Sequence, residues 1–291
     1  MLDKLIPVVA PVFICAAIGY FWARSGRRFD AEMVTRLSTN IGVPALVFAT
    51  LVDAGIDLAA LGRMAWAATA VTALFGAAGA AVLAAVRIPL RSFLPAMMFP
   101  NVGNMGLPLA LLAFGEGGLA LAITFFTVSV VIHLTAGIAI SSGAMSPRDF
   151  VRVPVLYAVI GALAFMGMGA PPPLWILNTA KILGAMTVPL MLLMLGVALA
   201  NLRLSSVPRA VGLTGLRFAL GLGGGLAVAW ALGLEGPERA VLVMQSAMPV
   251  AVFNFLFAQR YGTDPAEVAG LVMLSTLFGF VTLPFLLGAL M

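Results

Sequence analysis

Apolar runs of about 20 residues recur from one end of the sequence to the other, separated by short polar connections. A helix of that length crosses the roughly 30 Å hydrocarbon core of a bilayer. A β-barrel would instead need segments of about ten residues alternating apolar and polar, and these runs do not alternate. Charge agrees: 9% of the 291 residues are Asp, Glu, Lys or Arg, whereas a soluble domain carries about 25%. The expected fold is therefore an all-α integral membrane protein bathed in lipid, with no room for a separate soluble domain. The first run follows Asp3 and Lys4 without a small-residue cleavage site, so it reads as a retained helix. The single cysteine, Cys15, excludes an intrachain disulfide. The net charge of +5 is spread over loops and not along one face, which argues against a nucleic-acid partner.

Ten transmembrane helices are expected, at roughly 4–23, 30–51, 62–86, 90–114, 118–142, 152–169, 174–200, 210–232, 238–260 and 266–290. The loops then sort into two sets. One holds Arg24, Arg27, Arg28, Arg87, Arg91, Arg148, Arg152, Arg203, Arg209 and Arg260; the other, with the termini, holds Lys4, Arg63 and Arg239. The positive-inside rule puts both termini on the extracytoplasmic side of the cell inner membrane. A nine-span alternative with a re-entrant sixth segment would put the last basic loops on the wrong side.

Laying residues 1–142 against 150–291 brings TRLSTNIGVPALVFATLVDAG beside AKILGAMTVPLMLLMLGVALA, so Pro44 meets Pro189, and with small shifts Pro100 meets Pro249. Five spans per half make the halves inverted copies, an arrangement in which interrupted helices cross near the midplane around a substrate. The fourth span, RSFLPAMMFPNVGNMGLPLALLAFG, cannot be one straight helix with Pro100, Gly103, Gly106 and Pro108 in it. Its backbone should open near residues 99–104, exposing Asn101 and Asn104, whose amides both donate and accept. The ninth span repeats the device with Gln245, Ser246, Pro249 and Asn254. Two such helices crossing would bring positive dipole ends to one point, a site for a carboxylate; the competing reading is close helix packing by small residues.

FPNVGNMGLPLALLAFGEGGLALA, VPLMLLMLGVALA and AMPVAVFNFLFAQRYGTDPAEVAGLVMLSTLFGFVTLPF, in this order and spacing, resemble the auxin efflux carrier family, which includes bacterial organic-acid permeases and plant PIN-type carriers. The resemblance implies two inverted five-helix repeats, a scaffold of helices 1, 2, 6 and 7, and a transport bundle of helices 3–5 and 8–10. It also implies elevator-type alternating access and a homodimer. The family's crossover prolines and asparagines map to Pro100, Asn101, Pro249 and Asn254. The plant carriers' long central loop is missing, since about ten residues separate the fifth and sixth spans, so regulation through that loop is not implied.

No Asp or Glu falls in the central turns of a span, which suits an anionic or neutral substrate better than a cation. His133 is the mid-membrane group that titrates near neutrality; it is either a proton-coupling site or a neutral side chain bonded to a neighbouring helix. Ser129, one turn earlier, and Thr124 are candidates for the cavity wall, although small hydroxyls commonly bond their own helix. Lys181 is either a snorkelling residue or an attractor for anions, and Arg36 and Arg217 read as interfacial anchors. One His, one Cys and no mid-membrane carboxylate leave no basis for an enzyme, a metal site or a cofactor. The sequence thus points to a carrier of small organic anions, mono- or dicarboxylates or auxin-like acids, bound by Asn101, Asn254, Pro100, Pro249, Asn104, Ser129 and Gln245. An anion channel, or a proton- or sodium-coupled symporter such as a malate or malonate permease, remains open.

Overall fold

The computed structural model describes residues 2–53, 55–144, 153–202 and 206–291. The connection holding Arg148 and Arg152, and Arg203, lie outside the described residues. In chain order the helices are α1 (Leu2–Arg24), α2 (Ala31–Asp53), α3 (Leu58–Ala85), α4 (Leu90–Met98), α5 (Val102–Ser142), α6 (Pro154–Met168), α7 (Leu174–Asn201), α8 (Val207–Ala231), α9 (Gly236–Ser246), α10 (Val252–Tyr261) and α11 (Pro265–Leu290). Seven of these, α1, α2, α3, α5, α7, α8 and α11, are long and apolar enough to cross a membrane. The chain is a multi-pass membrane protein.

The departures from straight helix fall where proline and glycine demand them. Gly115 (φ 66°, ψ −163°) breaks the 41-residue α5 into 102–114 and 116–142, a backbone geometry open to glycine alone. Pro44 and Pro108 each follow a wide π-type turn, Ser38–Gly42 and Val102–Gly106, because a proline ring displaces the carbonyl four residues earlier and offers it no donor. A third such turn, His133–Gly137, lies in α5. The fourth and ninth expected spans are each split in two: α4 and α9 stop, the chain runs extended, and α5 and α10 begin.

The helices pack in two sets. α1 lies along the second half of α7, and α2 lies against α6 and the first half of α7. α3, α4, α5, α8, α9, α10 and α11 pack on one another. Within the first set α1 and α7 touch backbone to backbone: a Cβ on Gly196 would sit 1.8 Å from the Ala16 carbonyl oxygen, and one on Gly19 2.1 Å from that of Leu193. In lipid, where apolar burial drives little association, such close approach is how helices hold together.

The described hydrogen bonds and ion pairs between helices each stay inside one set. Lys181 pairs with Asp53 in the first. Arg63 pairs with Glu238, Arg209 with Glu267, and Ser92 with Asp264 in the second. Where the sets meet, the described contacts are apolar, as between Phe13 of α1 and Phe280 of α11, whose ring centroids are 4.6 Å apart. A Cβ on Gly103 would likewise come within 3.8 Å of the Met191 methyl group.

Candidate functional site

α4 ends at Met98 because Phe99 precedes a proline and is driven out of the helical region, to φ −113° and ψ 97°. Pro100 then forms an antiparallel β-bridge with Val250 in the break between α9 and α10. The Asn101 N–H donates to the Pro249 carbonyl at 2.7 Å, and the Ala251 N–H donates to the Phe99 carbonyl at 3.1 Å. Both prolines stand where the pairing needs no amide donor, Pro249 contributing only its oxygen. The Val250 N–H faces away and donates to Ser275 Oγ at 3.1 Å.

This pairing corrects the expected register. Its local two-fold relates Pro100 to Val250 and Asn101 to Ala251, so Pro100 and Pro249 are one residue out of equivalence, and the asparagine related to Asn254 is Asn104. Alignment by proline missed this because a β-bridge is set by which amides donate, and prolines fit either of two adjacent positions in it.

Asn254, in the first turn of α10, donates from Nδ2 to the Phe99 carbonyl at 3.1 Å. That carbonyl can only accept, so the amide oxygen is turned to His133 Nε2 at 3.0 Å, and the histidine proton sits on Nε2. The His133 ring stacks on Phe99, with centroids 4.0 Å apart and planes 12° apart, and meets Phe257 edge-on. Gly137 leaves space for the stack: a Cβ there would lie 2.7 Å from His133 Cδ2 and 2.9 Å from Phe99 Cε2. His133 is thus bonded to a neighbouring helix. His133→Phe should keep the stack but strip Asn254 Oδ1 of its donor, lowering the thermal unfolding midpoint in detergent by the equivalent of about 1 kcal/mol; an unchanged midpoint would show that the bond carries no stability.

Asn101 is 4% exposed, and its Nδ2 has no partner. Gln245, wholly buried at the end of α9, has neither Nε2 nor Oε1 partnered. It lies against the first turn of α5, where a Cβ on Gly106 would fall 2.0 Å from its Oε1. Buried amides without partners are scarce in proteins and mark a place where water or a ligand completes them. Asn104 is half-buried in the turn Val102–Gly106, and Ser129 is buried one turn before His133; neither side chain is hydrogen-bonded to Asn101 or Asn254 among the described residues. Thr124 bonds the Ala120 carbonyl of its own helix at 3.0 Å.

Two charged residues outside the break gain partners, and one of them corrects the sequence reading. Lys181 is held 2.7 Å from Asp53, both half-exposed, so its charge is matched. Lys181→Ala should change stability by less than about 1 kcal/mol and should leave flux within about twofold of wild type; a larger flux loss in vesicles would restore it as an anion attractor. Arg217 is not an interfacial anchor. It is the eleventh of the 25 residues of α8, about 15 Å along the helix, and only 1% exposed. Its Nη2 donates to the Ser246 carbonyl at 2.6 Å and its Nη1 to the Met97 carbonyl at 3.3 Å. The Phe75 ring lies 4.8 Å from its Cζ. Starting the eighth span at residue 210, and not at Val207, had hidden how deep it lies; a lone arginine inside an apolar run was the signal.

The sequence profile of the family described as "Membrane transport protein" matches residues 5–150 and 140–287. An "Uncharacterized transporter" of Methanothermobacter thermautotrophicus is 27% identical over 294 residues, 95% of each chain. "Uncharacterized transporter MJ1031" of Methanocaldococcus jannaschii is 27% identical over 198 residues, 64% of each chain. A Rhizobium meliloti protein named "Putative malonate transporter" is 25% identical over 211 residues, 65% of this chain and 63% of its own.

Proposed function

We infer, from the premise that the chain belongs to the membrane transport protein family, that it is a carrier for a small organic dianion of the malonate class. The observation that carries this is the pair of buried, unpartnered amides, Asn101 Nδ2 and the Gln245 side chain, beside the N-terminal end of α5, to which the N-terminal end of α10 is joined through the backbone bridge. Each such end carries about half a positive charge from its unpaired N–H groups. A carboxylate accepts from both kinds of donor, and a three-carbon dicarboxylate offers one carboxylate to each half-helix. The Rhizobium meliloti relative named "Putative malonate transporter" favours the same chemistry. Asn254 and His133 shape this site by holding Phe99, and Pro100 and Pro249 shape its backbone.

The architecture proposed with it has ten crossings in two inverted halves, residues 1–142 and 150–291. α4 with 102–114 makes the fourth crossing, 116–142 the fifth, and α9 with α10 the ninth. Helices of the first packed set act as scaffold and those of the second as the moving bundle. The confinement of the described polar contacts to one set or the other supports an elevator, because a body can slide only along a surface it does not bond. The protein sits in the inner membrane with both termini outside, supported by the arginine bias of the loops, and a homodimer is what the family resemblance implies. Uptake and efflux of labelled malonate, malate and indole-3-acetate in proteoliposomes test the reading. Saturable malonate flux with counterflow is expected; flux without saturation or counterflow would make it a channel, and no flux of any acid would overturn the assignment.

A further inference from the structure

We propose that Arg217 is a tethered counter-cation for the C-terminal ends of α4 and α9, standing where a cation-coupled carrier holds its ion, so that this chain transports without sodium. The two half-helices that meet at the break point their C-terminal carbonyls toward the middle of the fold. In carriers with broken helices, such carbonyl ends are what coordinate a coupling sodium ion. Here the guanidinium takes them directly, one Nη on Ser246 and the other on Met97, so one side chain clasps the last turn of both half-helices.

The charge count closes. Each helix C-terminus carries about −0.5 and the pair about −1, against the single positive charge of a guanidinium that stays protonated. No carboxylate pairs with Arg217 among the described residues, so the carbonyls and the Phe75 face are its compensation. A cation fixed to α8 does not dissociate on either side of the membrane and cannot be driven by a gradient. The fold around it is built to admit it: Gly224 gives space to Phe75, where a Cβ would lie 2.8 Å from Cε1, and Gly221 gives space to the Ser246 carbonyl, 2.5 Å from a Cβ there.

Two measurements test this, and the first does not depend on the transport reading above. Purified Arg217→Ala should melt at a lower temperature than wild type in choline chloride. Guanidinium chloride at non-denaturing millimolar concentration, or sodium chloride at the same ionic strength, should recover much of that shift. Arg217→Lys, which keeps the charge, should lie nearer wild type than Arg217→Ala does. An Arg217→Ala protein that melts like wild type, or one that no small cation stabilises, overturns the proposal. So does Arg217→Lys behaving as badly as Arg217→Ala. In proteoliposomes wild-type malonate flux should be equal in sodium and choline, and Arg217→Ala flux should be several-fold higher in sodium; wild-type flux that requires sodium overturns the proposal even if both variants fail to fold. A wild type that moves no acid defeats the transport reading and leaves the melting result to decide.

Discussion

Asn101→Ala is expected to lower malonate flux about 10- to 100-fold while leaving the yield and melting temperature of the protein close to wild type. The two halves of that expectation have one cause. Asn101 contributes to the fold through its backbone, whose N–H donates to the Pro249 carbonyl, and alanine keeps that bond. Its Nδ2 is buried without a partner, so removing it relieves a desolvated donor and breaks nothing. For a bound carboxylate the same donor makes a charge-assisted hydrogen bond of about 1.5–3 kcal/mol, and a factor of ten in rate corresponds to about 1.36 kcal/mol. Asn101→Asp, equal in size but charged, should be worse than alanine because it sets an anion against an anion. Wild-type flux in both variants would remove Asn101 from the site.

Gly196→Val should be the most damaging substitution in the first helix set. Its Cβ would meet the Ala16 carbonyl oxygen at 1.8 Å and the Tyr20 nitrogen at 2.7 Å, and backbone atoms of a helix cannot step aside as a side chain does. Overpacking a core commonly costs about 1–3 kcal/mol. With α1 forced off α7 along their shared length the loss should reach about 4 kcal/mol, in the range where one substitution is diagnostic of its mechanism. Size-exclusion profiles of detergent-solubilised protein should show aggregation or little folded material. Gly223→Val, where nothing lies within 4 Å of the added carbon, is the matched control and should behave as wild type. A monodisperse Gly196→Val protein with an unchanged melting point would contradict the close packing of α1 on α7.

The helical membrane fold was legible because it follows from composition and run length, which need no knowledge of neighbours. The breaks after Met98 and Ser246 were legible for the same reason, since proline acts on its own turn. What the sequence could not supply was anything decided by the partner. The register of the bridge depends on which amide of one segment finds which carbonyl of the other. The commitment of Asn254 to Phe99 and His133, which leaves Asn101 with the free donor, depends on three elements far apart in sequence. Arg217 was read as an anchor because arginines in membrane proteins usually are, and only the nearness of Met97 and Ser246 shows what an arginine at mid-depth is bonded to. The partner of Lys181 was hidden for the same reason, Asp53 lying on another helix.

The apolar meeting of the two helix sets has a consequence for the bilayer itself. If the two sets slide as proposed, a surface with no hydrogen bond across it among the described contacts has no rungs, and no height of one body against the other is preferred by the protein alone. Lipid tails are as apolar as the side chains they replace, and uncovering such a surface to them costs little. The lipid does resist a change of thickness, by a fraction of a kcal/mol for each ångström of mismatch. In the proposed elevator, a bundle that shifts by several ångströms would thin the membrane on one side and thicken it on the other. The pace of such an elevator would then be partly a property of its host membrane, and reconstitution into acyl chains of 14, 16 and 18 carbons, with nothing in the protein altered, should change its turnover in a graded way.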